Sequence, residues 1–165
     1  MSDQVDKQVL FESLHQQYFA MVKQLCLGYV KGDSFAAEDL TQEVFIRVWN
    51  ALDSFRKEAS YKTWIYRITV NTCLLHIRDN TKRKSTLELD ESYHMAQHAG
   101  TREKHYSDLY QAIGTLPQLD RLVLMLLLEE LSYTEIANIT GINEIHLRVK
   151  IHRIKKKMRQ LIQQD

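Results

Sequence analysis

At 165 residues, 44% hydrophobic and 26% charged, the chain suffices for one packed domain or two small ones, and its single proline suits a helical protein. A net charge of +1 excludes a uniformly basic polyanion binder and allows separate basic and acidic surfaces for different partners. The polar N-terminus argues against a signal peptide, the apolar run Leu122 to Leu128 is too short for a bilayer, and two cysteines in apolar segments, Cys26 and Cys73, point to an intracellular protein without a disulfide framework.

Leu10, Leu14, Tyr18, Met21, Val22 and Leu25 recur at three- and four-residue steps, which predicts a helix ending near Lys31-Gly32-Asp33. A second helix is expected from Ser34 to Leu52, with Leu40, Val44, Phe45, Val48 and Leu52 inward and Glu38, Asp39, Gln42, Glu43 and Arg47 outward. A polar break over 53–60 leads to a third helix, about Tyr61 to Asn80, carrying Trp64, Ile65, Ile68, Cys73, Leu74 and Ile77. The pattern then dissolves into a mixed-charge stretch over 85–106 that reads as a linker, with some helix left open within it. Order resumes near Tyr106. Pro117 can open a helix containing Leu122 to Leu128, and Ser132-x-x-Glu135 is a capping box for the next. Gly141 suits a left-handed turn and Asn143 a cap for the last helix, whose inward stripe is Leu147, Ile151, Ile154, Met158 and Leu161. The expected fold is all-α, with two small helical domains, 8–84 and 107–163, on a flexible linker.

The last helix holds the sharpest chemical signal. From Ile145 to Arg159 it carries seven Lys or Arg and no acid. A capped helix, a glycine turn and a basic helix, in that order, form a helix-turn-helix over 133–152 that lays side chains into a DNA major groove. His146, Arg148, Val149, Lys150, His152 and Arg153 lie off the inward stripe and are the candidate duplex contacts. Arg can pair with guanine edges, and Lys and Arg both take phosphates. On the third helix Tyr61, Trp64 and Tyr66 offer aromatic faces, Arg67 and Arg78 charge, and Asn71 a two-sided amide. Such a mixture suits unstacked single-stranded bases, although Trp64 and Ile68 share a stripe that also reads as plain core. The acidic-polar face of the second helix reads equally as a solvated surface. His94, His98 and His105 share the linker with Asp90 and Glu91 but no cysteine, a weak pattern for a metal. No phosphate-cradling glycine loop, zinc-protease helix or nucleophile elbow occurs, so no enzyme activity and no cofactor are expected.

Asp39-Leu40-Thr41-Gln42-Glu43-Val44-Phe45-Ile46-Arg47-Val48-Trp49 resembles the core-binding signature of the bacterial sigma-70 family, more closely its extracytoplasmic-function (ECF) group. Phe55-Arg56, Tyr61-Lys62-Thr63-Trp64-Ile65-Tyr66-Arg67-Ile68 and Asn71 resemble that group's −10 promoter segment. Leu116-Pro117, Leu131 to Ala137 and Gly141-Ile142 resemble its −35-reading domain. The resemblance covers nearly the whole chain outside the linker. It implies a sigma factor that binds core RNA polymerase, at the β′ clamp and β flap, through Asp39, Leu40, Gln42, Glu43, Phe45, Arg47 and Trp49. It implies −10 DNA contacts at Tyr61, Thr63, Trp64, Arg67, Asn71 and Arg78, with a flipped base held near Asn71 and Trp64. It further implies promoter DNA as partner, an anti-sigma protein as regulator, a cytoplasmic location, no small-molecule substrate and no metal. One departure stands out: Ile145 and Val149 occupy the start of the recognition helix, where the family usually has small or polar residues. Thymine methyl contact, unusual −35 specificity and a protein partner all remain open there. An ordinary helix-turn-helix regulator, which would bind DNA tightly without polymerase, and a nucleic-acid enzyme are the competing readings.

Overall fold

The computed structural model describes residues 2–84 and 101–163, with side chains over 4–76 and 106–163. Among the described residues the regular elements are all helical: α1 Ser2–Tyr29, α2 Ser34–Ala51, a 3-10 turn Leu52–Ser54, α3 Tyr61–Lys84, α4 Thr101–Gly114, α5 Gln118–Leu128, α6 Tyr133–Thr140 and α7 Glu144–Ile162. None of them is long and apolar enough to cross a membrane.

Local chemistry sets the ends of these helices. Lys31 and Gly32 turn the chain through the left-handed region, at φ 61° and 87°. Asp33 then caps α2, its carboxylate accepting from the Ala36 amide at 3.1 Å. Ser60 opens α3 by accepting from the Thr63 amide at 3.1 Å. The Ser132–Glu135 capping box forms in both directions, Gly141 takes φ 75°, and Asn143 accepts from the Ile145 amide at 2.9 Å. Two boundaries differ from expectation. α3 runs on to Lys84, and α4 begins at Thr101, inside the stretch assigned to the linker. Neither 81–84 nor 101–113 contains Gly or Pro, so nothing local stops a helix there, while the lack of an apolar stripe hid it.

The helices form two groups. In α1–α3 the core gathers Val22, Leu25, Cys26, Leu40, Val44, Val48, Ile65, Val70 and Cys73. The Cys26 and Cys73 thiols meet there, and the hydrogen bond to Cys26 together with burial pushes the Cys73 thiol up. In α4–α7 the core gathers Ile113, Leu122, Leu126, Ile136, Leu147, Ile151 and Ile154. The two groups pack on each other, α4 and α5 against α1 and α6 against α3, so their cores are continuous. At the seam Gly28 lets α1 approach so closely that a Cβ there would overlap the Met125 side chain. Arg121 clamps the seam: its guanidinium donates to the carbonyls of Tyr29 at 3.1 Å, Gly114 at 3.1 Å and Leu116 at 2.9 Å. These are carbonyls at or just past the C-terminal ends of α1 and α4, where a helix has orphan acceptors and favours a cation. Gln24 adds a bond from α1 to the Tyr110 hydroxyl at 2.6 Å.

Candidate nucleic-acid interface

α2 is amphipathic, and its inward stripe fixes what faces out. Asp39 and Gln42 are exposed, and Glu43 accepts from Arg47 at 2.8 Å on the same face. Leu40 and Phe45, implied as polymerase contacts, are 2% and 4% exposed, so they hold α2 to the core rather than present a surface. Trp49 is half-buried, edge-on to Phe11 at 5.2 Å and beneath the Lys7 ammonium at 4.5 Å. Two apolar residues were not among the expected contacts. Phe35 is 82% exposed and Ile46 56%, and helical spacing puts both on the face of Asp39 and Gln42. Their signal was available, since each falls off the Leu40–Val44–Val48 stripe.

The first turns of α3 build an aromatic floor. Phe55 stacks on Tyr61 with ring centroids 4.4 Å apart, and Trp64 leans on Phe55 at 4.9 Å. Lys57, in the left-handed region at φ 57°, turns the chain within the segment that leads into α3. The result is an open pocket of about 200 Å³ lined by Ser54, Phe55, Arg56, Glu58, Ala59, Trp64 and Arg67. That is below the roughly 300–1,000 Å³ of drug-sized ligand sites and matches one flat ring better. Of the expected −10 residues Trp64 and Arg67 line this pocket, and the loop residues Ser54, Glu58 and Ala59 join them unforeseen. Asn71 is exposed one turn beyond Arg67 and does not line the pocket. Thr63 is drawn into the helix start, its hydroxyl accepting from Ser60 at 3.1 Å. Tyr66, read as an offered aromatic face, is fully buried, because α3 is covered by α6 as well as by α1 and α2. Its hydroxyl has no hydrogen-bond partner among the described residues, and burial first, then Glu129 and Glu135, pushes its phenol up. The Arg78 side chain lies outside the described residues.

α6 also covers part of the −10 candidate surface. The Arg67 Nε donates to the Asn138 carbonyl at 3.0 Å. Glu135 sits near enough to Lys62 to feel its charge, although the Ser132 amide and hydroxyl do most to hold its carboxyl below the usual range.

On α7, Leu147, Ile151 and Ile154 are buried, and His146, Arg148, Val149, His152 and Arg153 are exposed as expected. Lys150 is the exception. It is only partly exposed and its ammonium meets the Asp120 carboxylate of α5 at 2.5 Å, so it braces α7 against the domain instead of standing free. Arg148 bonds Glu144 at 2.9 Å and lies 5.3 Å over the Tyr133 ring. Along the outermost line of α7 stand Ile145, Val149, His152 and Lys156. Asp90, Glu91, His94 and His98 lie outside the described residues, as does the His105 side chain. Among the described residues no cluster of three or more His, Cys, Asp or Glu is placed to hold a metal.

The family model for sigma-70 region 2 matches residues 14–83, and that for sigma-70 region 4 matches 106–158. RNA polymerase sigma factor SigV of Bacillus subtilis strain 168 is 31% identical, with 92% of this chain and 89% of that protein covered. The ECF RNA polymerase sigma-E factor of Escherichia coli K12 is 30% identical, with 94% of each covered. Among solved structures, the sigma factor RpoE in complex with the anti-sigma factor NepR from Bartonella quintana superposes with a TM-score of 0.76 at 19% identity, over 94% of this chain and 98% of that one. CnrH in complex with the cytosolic domain of CnrY gives 0.73 at 20%, over 96% and 90%. The two structures match the all-helical architecture, while the region models and the relatives account for both of its halves in order. On that ground this chain belongs to the sigma-70 family of RNA polymerase sigma factors, in its extracytoplasmic-function group.

Proposed function

We propose that this sigma factor binds core RNA polymerase through the outward face of α2, reads duplex −35 DNA with α7, and holds a base of the melted −10 strand in the pocket at the start of α3. The observation that carries the reading is that one chain presents both a capped helix-turn-helix with a basic outward face and a ring-sized pocket of aromatics and cations. Duplex and single strand need different surfaces, and both are here. On α2 the contact set becomes Asp39, Gln42, Glu43 and Arg47 with Phe35 and Ile46. Exposed apolar anchors inside a charged rim are what a protein partner binds.

Sigma factors are transcription initiation factors rather than enzymes, and no covalent step is assigned to this chain. Unstacking a base costs a few kcal/mol, which stacking on Phe55 and Trp64 and the Arg67 charge offset. Residues 8–84 and 107–163 act as separate DNA-reading units across the 85–106 linker. Because Arg67 is bonded to α6, they part when the promoter is engaged. A cytoplasmic location follows from the role, and an anti-sigma protein is the regulator we infer, as NepR is the partner of its neighbour.

Run-off transcription with core polymerase on a genomic fragment library tests this. Promoter-specific transcripts that need both proteins support it. Tight, sequence-specific DNA binding by the free chain, with no stimulation of core polymerase, overturns it.

A further inference from the structure

The outermost line of α7 begins with two residues that donate and accept no side-chain hydrogen bond. Ile145 is 72% exposed and Val149 48%. They are one turn apart, opposite the buried Leu147, Ile151 and Ile154, in the half of a recognition helix that meets base edges. Asn143 fixes the entry of this helix by capping the Ile145 amide, so both side chains stand on a stiff support. A lone exposed apolar residue is unremarkable, but here two branched ones occupy the centre of the face.

Their surroundings decide what they meet. Arg148 and Arg153 flank them, and Lys155, Lys156 and Arg159 continue the face. The nearest acid, Glu144, is bonded to Arg148 and Thr134. A rim of cations selects a polyanion over an apolar protein surface. In the major groove of a duplex the apolar feature is the 5-methyl group of thymine. Neither residue can pair with guanine O6 and N7, so positions beneath them gain nothing from a G·C pair. Branching at Cβ leaves each side chain little rotamer freedom to lose on contact. One helical turn spans about 5.4 Å, which sets the two contacts one or two base steps apart.

We propose that Ile145 and Val149 are specificity-determining residues that read thymine methyl groups in the −35 element. The helix therefore selects at least one thymine at the centre of its site, and hydrogen-bonded readout falls to Arg153, His146 and His152 around it. This rests on the reading of α7 as the −35 helix.

The test uses the full chain with core polymerase on a promoter recovered by run-off transcription. Each −35 thymine is replaced in turn by deoxyuridine, which deletes the methyl group and keeps every hydrogen-bonding atom. Open-complex formation should fall roughly 3- to 5-fold at one or two positions, about the worth of one buried carbon. Ile145→Ser and Val149→Thr should each show a similar loss on thymine and no further loss when their own position carries deoxyuridine. Circular dichroism should find both variants folded, since both sites are exposed. Promoter-specific transcription that ignores every deoxyuridine overturns the methyl reading and leaves the −35 assignment intact. Deoxyuridine sensitivity that persists undiminished in both variants overturns the assignment to these residues. Failure of any promoter-specific transcription would instead overturn the parent reading.

Discussion

The two candidate DNA-facing regions of this chain differ in how open they are. The outward face of α7 is open: Ile145, Val149, His152 and Arg153 all stand in solvent on a helix braced from behind by Lys150 and Asp120. The start of α3 is assembled but partly covered, with Arg67 bonded to α6 and Tyr66 sealed beneath it. A duplex-reading surface needs only to be presented. A single-strand surface needs exposed aromatics and free cations, and here the other half of the molecule holds Arg67 and covers Tyr66. On the proposed reading, promoter recognition by the free chain is unequal: the α7 face is open, while the start of α3 is freed only when the halves separate.

Weakening the seam should break this inequality and gives the largest expected effect. Arg121→Ala removes charge-assisted bonds to three carbonyls and should cost about 2–4 kcal/mol, read as the urea midpoint. Gly28→Leu attacks the same seam from α1 by forcing Met125 aside, at roughly 1–3 kcal/mol for overpacking. Both variants should expose Trp64 to fluorescence quenchers and strengthen binding of a single-stranded −10 oligonucleotide. Neither should change −35 duplex affinity. If single-strand binding is unchanged in both, the α3 surface is not held back by α6.

The α7 side of the comparison is sharpened by two cations. Arg153→Ala should cost roughly 1–3 kcal/mol and relax preference at one −35 position. Lys156→Ala should weaken all sequences alike and lower the salt slope by about one. Uniform weakening by Arg153→Ala would reduce that residue to a phosphate contact.

How much of this was readable beforehand follows from the kind of interaction involved. Caps and turns are local, so the Ser132–Glu135 box, Gly141 and Asn143 announced their helices, and the α7 face followed from its stripe. Several of the misses involve partners far away in sequence. Lys150 reads as outward until Asp120, thirty positions earlier, is brought beside it. Tyr66 reads as an offered ring because periodicity expects one buried stripe, whereas α3 buries Ile65, Tyr66, Thr69, Val70, Thr72 and Cys73 between two layers. The candidate −10 pocket draws five of its seven lining residues from the 54–59 segment, which carries no periodic signal. The packing of one half on the other is invisible to any single-helix pattern.

Smaller effects should follow at α6, the element joining the two regions. Ser132→Ala should cost about 1 kcal/mol as a lost cap and loosen α6 where it covers α3, seen as faster amide exchange. The Glu135 carboxyl is depressed in the folded chain, so the box stabilises above the ordinary glutamate range and its contribution fades as pH falls through the folded value. The difference between parent and Ser132→Ala should therefore shrink in acid, and a difference that grows there would contradict the linkage. Smallest of all, Tyr66→Phe removes a buried hydroxyl with no partner and should leave melting unchanged or slightly raised. A clear loss would mean the hydroxyl serves the α3–α6 contact.

The chain has only two thiols, and both are buried in the middle of the α1–α3 core. Buried thiols in apolar surroundings are inert to labelling reagents. A cysteine introduced at exposed Gln17 on α1 and another at exposed Gln160 on α7, both outside the proposed contact sets, would then be the two reactive positions, with the native pair left in place. Spin or fluorescent labels at these sites turn the separation of the halves into a distance distribution. It can be recorded for the chain alone, with core polymerase, and on promoter DNA.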